Sequence, residues 1–490
     1  MKLGMRALLG WALMGGGLVG GGLVQAMAAG PAAAAPGAIP GAATAAATAA
    51  ATAAGTATQL DRELAAVVND AQHPLTGLSV LAIRDGKVAY QQQFGLRRID
   101  TAGTGRVNAT APVTPATMFR IASISKMMTT FGLMKLVEEG RLELDTEVSA
   151  YLGFPLRNPH YPDRAITLRH LLTHTSSLRD DAGYSWGTDT RLSDVLVPGG
   201  AKYGSGAMWA EGMVAQPGTV QGDAGPGAYF TYCNLNWGVI GTIMERVSGE
   251  RFDRLMKRLL LAPMGLRGGY NTSEFSPAEV TDTATLYRKR TTDTEIWNPA
   301  GPWIAQVDNY GVAPPAAPAG IDGYVVGSNG TLFSPTGGMR MSAPDMGKIM
   351  LMLINHGKHE GKQILKPDTI KLMFSEQWTY KETSDGNNGD TLRGLYHSWG
   401  LGTQRFADVP GSGNRLVQGG GFSAVGHLGE AYGLVSTFAL DLAGRNGLVS
   451  LIGGFGTDPE QYPGRYSALV RSEELILTAL YRRAVLGKAD

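Results

Sequence analysis

The sequence predicts a mixed α/β domain of the α+β type: an antiparallel sheet built from both ends of the chain, flanked by helices, with a mainly helical inserted subdomain. Three observations predict it. Two apolar runs near the start, Leu78–Ile83 and Lys87–Phe94, are joined by Asp85-Gly86, a strong hairpin signal. Three more strand-like runs, His427–Gly429, Gly433–Asp441 and Gly447–Gly453, stand close to the end. Between the two groups the pattern is largely helical. The chain has 490 residues, 43% of them hydrophobic and 17% charged, which allows a large core and excludes disorder throughout.

In chain order, Leu60–Asn69 reads as a helix with Leu60, Leu64, Val67 and Val68 along one side. After the hairpin, Ser123–Glu139 carries Ile124, Met127, Phe131, Met134 and Val137 at helical spacing, and Gly140 stops it. Asn236–Val247 is ended by Ser248-Gly249, and Phe252–Leu261 by Pro263 and Gly265. Residues 271–340 are rich in glycine, proline and turns and show no strong period. Ala343–His356 is helical again, and Ser472–Ala484 closes the fold with Leu475, Ile476, Leu480 and Tyr481. The expected division places sheet at about 59–120 and 336–490 and the helical insertion at about 121–335, with a cleft between them.

The first 58 residues read differently. Lys2 and Arg6 precede a long uncharged run that ends in Ala26-Met27-Ala28, the small-x-small pattern of a cleaved export signal. An uncleaved membrane anchor over residues 7–29 is the alternative, weakened by the many glycines. Residues 29–58 are an uncharged Ala/Thr/Pro/Gly tether with no apolar face to bury. The expected protein is therefore exported to a bacterial periplasm. Loss of residues 1–28 takes the formal charge from +1 to −1, so a nucleic-acid partner is not expected. A single cysteine excludes internal disulfides and four-cysteine zinc sites, and no cofactor or metal is called for.

Three short motifs carry chemistry. In Ser123-Ile124-Ser125-Lys126 the serine and lysine share a helix face at i and i+3, so the amine reaches the hydroxyl. Enclosure by apolar residues lowers a lysine's pKa and leaves it able to accept a proton. In Tyr232-Cys233-Asn234 a tyrosine beside a cation can be partly ionised and act as a base, which leaves the base open between Lys126 and Tyr232, while the asparagine offers a donor and an acceptor. His427-Leu428-Gly429 enters a strand whose edge can bind an extended acyl group, with Gly429 allowing close approach. Each motif alone has an ordinary reading: a helix start, a packed tyrosine, a histidine at a strand end.

Together, in this order, the motifs resemble the serine β-lactamase and penicillin-binding-protein superfamily. The Tyr-x-Asn form resembles its class C branch of β-lactamases, D-alanyl-D-alanine carboxypeptidases, D-aminopeptidases and esterases. Met118-Phe119-Arg120-Ile121-Ala122, Thr167–Ser176, Pro226-Gly227 and Gly426–Gly429 also match, so the resemblance runs from about residue 60 to the C-terminus. It implies a β-lactamase/transpeptidase-like fold. It further implies Ser123 as acylated nucleophile, Lys126 and Tyr232 as proton-transfer pair, and Asn234, His427 and Gly429 as substrate contacts. The backbone N–H groups of Ser123 and Glu430 would form the oxyanion hole. The sequence departs from the family at His427 and Leu428, where β-lactamases have lysine and threonine. Histidine variants occur among the family's peptidases, so the change argues against an efficient β-lactamase and not against activity. An unshifted His427 would carry charge only below about pH 6.5. Cys233 reads as a small packed residue.

Other candidates are weaker. Gly183-Tyr184-Ser185-Trp186-Gly187 matches a nucleophile elbow but lacks an apolar strand before it. Tyr184 and Trp186 are better read as bordering the cleft. His170 and His174 are spaced for a metal but lack the intervening glutamate, and His356, His359 and Glu360 read as solvated. Gly419-Gly420-Gly421 has no following lysine for phosphate. The expected activity is an exported serine hydrolase acting on a small ester, a D-amino-acid amide or peptide, or a β-lactam. The alternative is a non-catalytic penicillin-binding-type module that binds peptides or cell-wall fragments.

Overall fold

The computed structural model describes residues 58–100, 110–211, 223–383 and 386–488; the expected export signal over residues 1–28 and nearly all of the expected tether fall outside them. The central element is a nine-stranded antiparallel sheet. Its first strands come from the N-terminal hairpin, β1 (Gly77–Arg84) and β2 (Lys87–Arg98). The rest come chiefly from the C-terminal part, β3 (Ala424–Ala431), β4 (Leu434–Asp441) and β5 (Asn446–Ile452). The middle of the sheet runs β3-β4-β5-β1-β2, so β1 pairs β5 and the chain's two ends are joined there. Asp85 and Gly86 both adopt positive φ, 53° and 75°, as the two-residue turn requires.

β1 reads as a continuous apolar run because both its faces are covered. Leu78, Val80 and Ala82 pack with helix α1 (Gln59–Val68) and the C-terminal helix; Leu81 and Ile83 face the opposite core. α1 starts on Thr58, whose hydroxyl and the Asp61 carboxylate make a capping box. The far face holds α2 (Ile124–Glu138), α3 (Leu235–Ser248) and α4 (Ala343–Ile354). α2 is not the one-sided helix its spacing suggests. Ser125, Lys126, Thr129 and Thr130 are buried along with its apolar positions, because it threads the middle of that core. α5 (Arg471–Ala479) lies with α1 on the other face.

Two expected helices change type before they end. Phe252–Met256 is α-helical but Lys257–Leu261 is π-helical, and α5 continues as a π-helix over Leu480–Val485. Residues 271–340 are more ordered than their composition indicates. They supply strands Leu286–Lys289 and Trp303–Val307, which join Gly454–Phe455 in a separate three-stranded sheet. A helix over Pro367–Phe374 and short sheet strands at 378–379, 398–399 and 404–406 also escaped the sequence reading. They are too short to show a period. Among the described residues no helix is long and apolar enough to cross a membrane.

Candidate active site

Ser123 sits at the entrance of α2, immediately after Ala122, a non-glycine residue at φ 45°. That left-handed turn costs about 1–2 kcal/mol and is held by its surroundings. The Ile121 N–H donates to the Met339 carbonyl at 2.9 Å, and the Ser436 hydroxyl donates to the Ile121 carbonyl at 3.1 Å. Gly429 on β3 packs directly against this turn. A Cβ there would run into the Ile121 carbonyl and the Ser436 hydroxyl, so β3 reaches the serine only with glycine at that position.

Lys126 is fully buried. Its Nζ lies 2.9 Å from Ser123 Oγ, 2.8 Å from Asn234 Oδ1 and 3.1 Å from the Thr336 carbonyl. Three acceptors suit an ammonium, yet burial pulls its pKa down to about 7, against the opposing pull of Asp180. Near neutral pH the amine is therefore free to accept a proton in a substantial fraction of molecules. Asn234 is fixed from both ends. Thr336 Oγ1 donates to its Oδ1 at 2.8 Å, and its Nδ2 donates to Asp180 at 2.9 Å.

Asp180 is the residue that sequence reasoning missed. Its carboxylate accepts the N–H groups of Asn234 and Leu235 at 2.8 and 3.0 Å and the Cys233 thiol at 3.3 Å. It thus caps the N-terminus of α3, where the helix dipole favours an anion. The signal was present in Ser176-Ser177-Leu178-Arg179-Asp180, directly after the Thr167–Ser176 segment, but nothing local connects it to a helix 54 residues on. Cys233 is a packed, buried thiol whose pKa burial pushes well up.

Tyr232 stacks on His174 at 4.4 Å and on Tyr396 at 5.4 Å, and Lys126 Nζ stands 4.8 Å from its ring centre. Of the two candidate bases, the phenol has the less favourable surroundings for ionising. Burial, followed by Tyr396, pushes its pKa well above the ordinary value, and the hydrogen bond to Ser123 does not offset this. The group is a neutral phenol. His174 is a buried aromatic support rather than a metal ligand. Its Nδ1 accepts the Cys233 N–H at 2.9 Å.

His427 also departs from expectation. It is 2% exposed, and burial, aided by repulsion from Lys126, lowers its pKa to about 3. It stays neutral through the range in which a free imidazole charges. Its Nδ1 lies 2.6 Å from the Leu428 carbonyl, which fixes the proton there and leaves Nε2 as a buried acceptor without a partner among the described residues.

Ser123 lies where two cavities meet. A narrow lobe of about 60 Å³ is lined by Tyr232, Leu395, Tyr396, His427, Leu428 and Val435, among others. A wide lobe of about 420 Å³ includes Arg120, Tyr184, Ser185, Arg288, Arg290 and Tyr432. Glu430 borders both. A further cavity of about 410 Å³ lies beyond Leu392 and contains none of the motif residues. Ser185 is exposed in a loop, with no strand leading into it, and Trp186 does not reach the wide lobe. Among the described residues no three His, Cys, Asp or Glu side chains gather as a metal site.

Three comparisons bear on the chain. A solved penicillin-binding protein homologue from Pyrococcus abyssi, described as octameric, superposes with TM-score 0.56 at 23% identity, covering 88% of this chain and 77% of that one. D-amino acid amidase from Ochrobactrum anthropi gives 0.53 at 18% identity, covering 81% and 92%. An uncharacterized protein of Mycobacterium tuberculosis is 26% identical over 302 residues, 59% of this chain; the chain spans 66% of that relative's length. Proteins of this fold are generally serine hydrolases. The beta-lactamase family model matches residues 59–472, and the chain belongs to that family.

Proposed function

We propose that the protein is an exported serine hydrolase that forms an acyl-enzyme on Ser123, with residues 59–490 as the hydrolase domain. The observation that carries the reading is the buried Lys126 amine, 2.9 Å from Ser123 Oγ with its pKa near 7. Lys126 takes the Ser123 proton as Oγ bonds to the substrate carbonyl carbon, and the carbonyl electron pair moves to oxygen. The N–H groups of Ser123 and Glu430 receive that oxyanion, donors of a kind that contribute about 10²–10³ in rate. Collapse expels the leaving group, which takes a proton relayed from Lys126 through the neutral Tyr232 hydroxyl. Water then gives a proton to Lys126 as it attacks the acyl carbon, and Ser123 Oγ leaves with that proton while the acid product is released.

The preferred substrate is a small ester or a D-amino-acid amide. The D-amino acid amidase from Ochrobactrum anthropi shares the fold. In the narrow lobe His427 offers an acceptor, not a cation, which suits a neutral leaving group that donates a hydrogen bond better than a carboxylate. Efficient β-lactam hydrolysis is not expected. The test is labelling with a fluorophosphonate. One phosphonyl mass on the tryptic peptide Ile121–Lys126, absent in Ser123→Ala, supports the reading. Label on Ser185, or none on a folded protein, overturns it.

A further inference from the structure

The wide lobe is built from an excess of guanidinium groups. Arg120 and Arg340 share one buried carboxylate: Asp308 accepts from Arg340 Nε and Nη2 at 3.1 and 2.5 Å and stands 3.6 Å from Arg120 Nε. Arg288 and Arg290 share another, Glu295, at 3.7 and 2.5 Å. Each pair thus sets two cations against one anion. Glu430, exposed at the rim, is the remaining acid lining the lobe and acts on Arg288, which leaves one of the two surplus positive charges.

The hydrogen-bond count agrees with the charge count. The Nε–H groups of Arg288 and Arg290 are buried and have no hydrogen-bond acceptor among the described residues, and that of Arg120 has only the Asp308 carboxylate at 3.6 Å. All three side chains line the cavity that contains Ser123. A buried donor left unmade is costly, and such donors in side chains that line one cavity require an explanation. Packing alone does not supply it. Arg120 lies over the Tyr432 ring at 5.4 Å and donates to the Gly337 carbonyl at 3.4 Å, Arg288 lies over Trp297 at 5.4 Å, and Arg290 donates to the Thr294 carbonyl and to Glu295, contacts that hold the guanidinium groups in place. Fixed, planar, forked donors match a carboxylate. The narrow lobe has no arginine or lysine among its described lining residues; besides the neutral His427, Leu428 and Tyr396 it is bordered by the acids Glu430 and Glu473.

We infer that the wide lobe is a carboxylate-binding subsite, so that the preferred substrate carries an acid group on the half that occupies it. This rests on the serine-hydrolase reading and adds a substrate class to it. The anion is recognised on the side of Ser123 away from His427, by arginines that line the lobe, Arg288, Arg290 and Arg120.

The experiment uses the purified protein and two matched ester pairs. p-Nitrophenyl hemiglutarate against p-nitrophenyl butyrate places the carboxylate on the acyl half. m-Carboxyphenyl butyrate against phenyl butyrate places it on the leaving group. One pair is expected to favour the acid in kcat/KM by roughly tenfold, the scale of one charge-assisted hydrogen bond, and to identify the half that enters the lobe. Added salt should shrink the ratio. Arg288→Gln should bring it towards one, and Arg288→Glu should take it below one. Arg290→Gln serves the same purpose should Arg288 variants fail to fold. If p-nitrophenyl butyrate is hydrolysed through Ser123 while neither pair favours the acid, the subsite is overturned and the hydrolase reading stands. If no ester is turned over and Ser123 takes no label, both fall.

Discussion

The two lobes that meet at Ser123 differ in size, charge and the way each is built. The narrow lobe is formed around β3 with no arginine or lysine among its described lining residues; the acids Glu430 and Glu473 border it, and His427 has its pKa held near 3. The wide lobe is bounded by arginines, two of them from the Leu286–Arg290 segment, which belongs to or adjoins the small separate sheet. Burial explains the contrast. An imidazole taken out of water gives up its proton, whereas a guanidinium keeps its charge and must find an anion. The same desolvation that silences His427 leaves the arginines charged and short of partners. Position in the sequence motif therefore does not tell where the charge of the site lies.

The sharpest way to break this picture is to remove what both lobes share. Lys126→Ala should lower kcat for every substrate by about 10²–10⁴, whichever lobe carries the recognition. Steady-state kinetics on neutral and acidic esters checks it. Near wild-type turnover would remove Lys126 from the proposed mechanism.

Next in size is the effect of keeping His427 neutral. Its pKa is about 3 folded against an ordinary 6.5. Below pH 6.5 the unfolded chain binds a proton that the folded protein refuses, so stability is full above that pH and is lost as pH falls towards 3. By pH 5 the loss is on the order of 2 kcal/mol. Thermal melts should show Tm falling through this range, and His427→Gln should make the fall shallower. Parallel slopes would mean that His427 titrates freely.

Asp180 sharpens the comparison at the junction. Its charge raises the Lys126 pKa against burial. Removing it in Asp180→Asn should lower that pKa further, so the rising limb of the pH–rate profile, set near pH 7 in the wild type, moves to lower pH. Loss of the bond to Asn234 Nδ2 should also cost roughly tenfold in kcat. A structural cap alone would lower stability and leave the limb in place.

The smallest expected effect is an absence of change. With an unshifted His427, leaving groups bearing a carboxylate would gain over neutral ones between pH 8 and pH 5.5. With the imidazole neutral throughout, the ratio for m-carboxyphenyl over phenyl butyrate should gain nothing from His427 in that window. A wild-type rise that His427→Gln abolishes would show that the narrow lobe does carry a titrating cation.

Much of the fold was legible in the residues. Asp85-Gly86 specified the hairpin because few pairs tolerate two positive φ angles. The apolar runs at 78–83 and 447–453 marked strands because both faces of each are covered. Leu286–Lys289 and Trp303–Val307 were not legible, since four or five residues in a glycine-rich setting show no usable period. The same holds for the π-helical endings after Met256 and Ala479. Their sequences continue a helical pattern, and only the hydrogen-bond register changes.

At the site, the sequence by itself determined which residue types were available: a serine and a lysine one turn apart, a tyrosine and an asparagine at a helix entrance, and a glycine where β3 must pass close. Local spacing was enough because each motif spans four residues or fewer. Tertiary structure decided their electrical state and their missing partners. Asp180 reaches Asn234 across 54 positions, and Thr336 reaches it across 102. Lys126 and His427 lose their ordinary pKa values to burial, and Arg120 and Arg340 compete for one Asp308. Charge in a protein is set by desolvation and by neighbours distant in sequence, and neither is written in the local pattern that fixes helix, strand and turn.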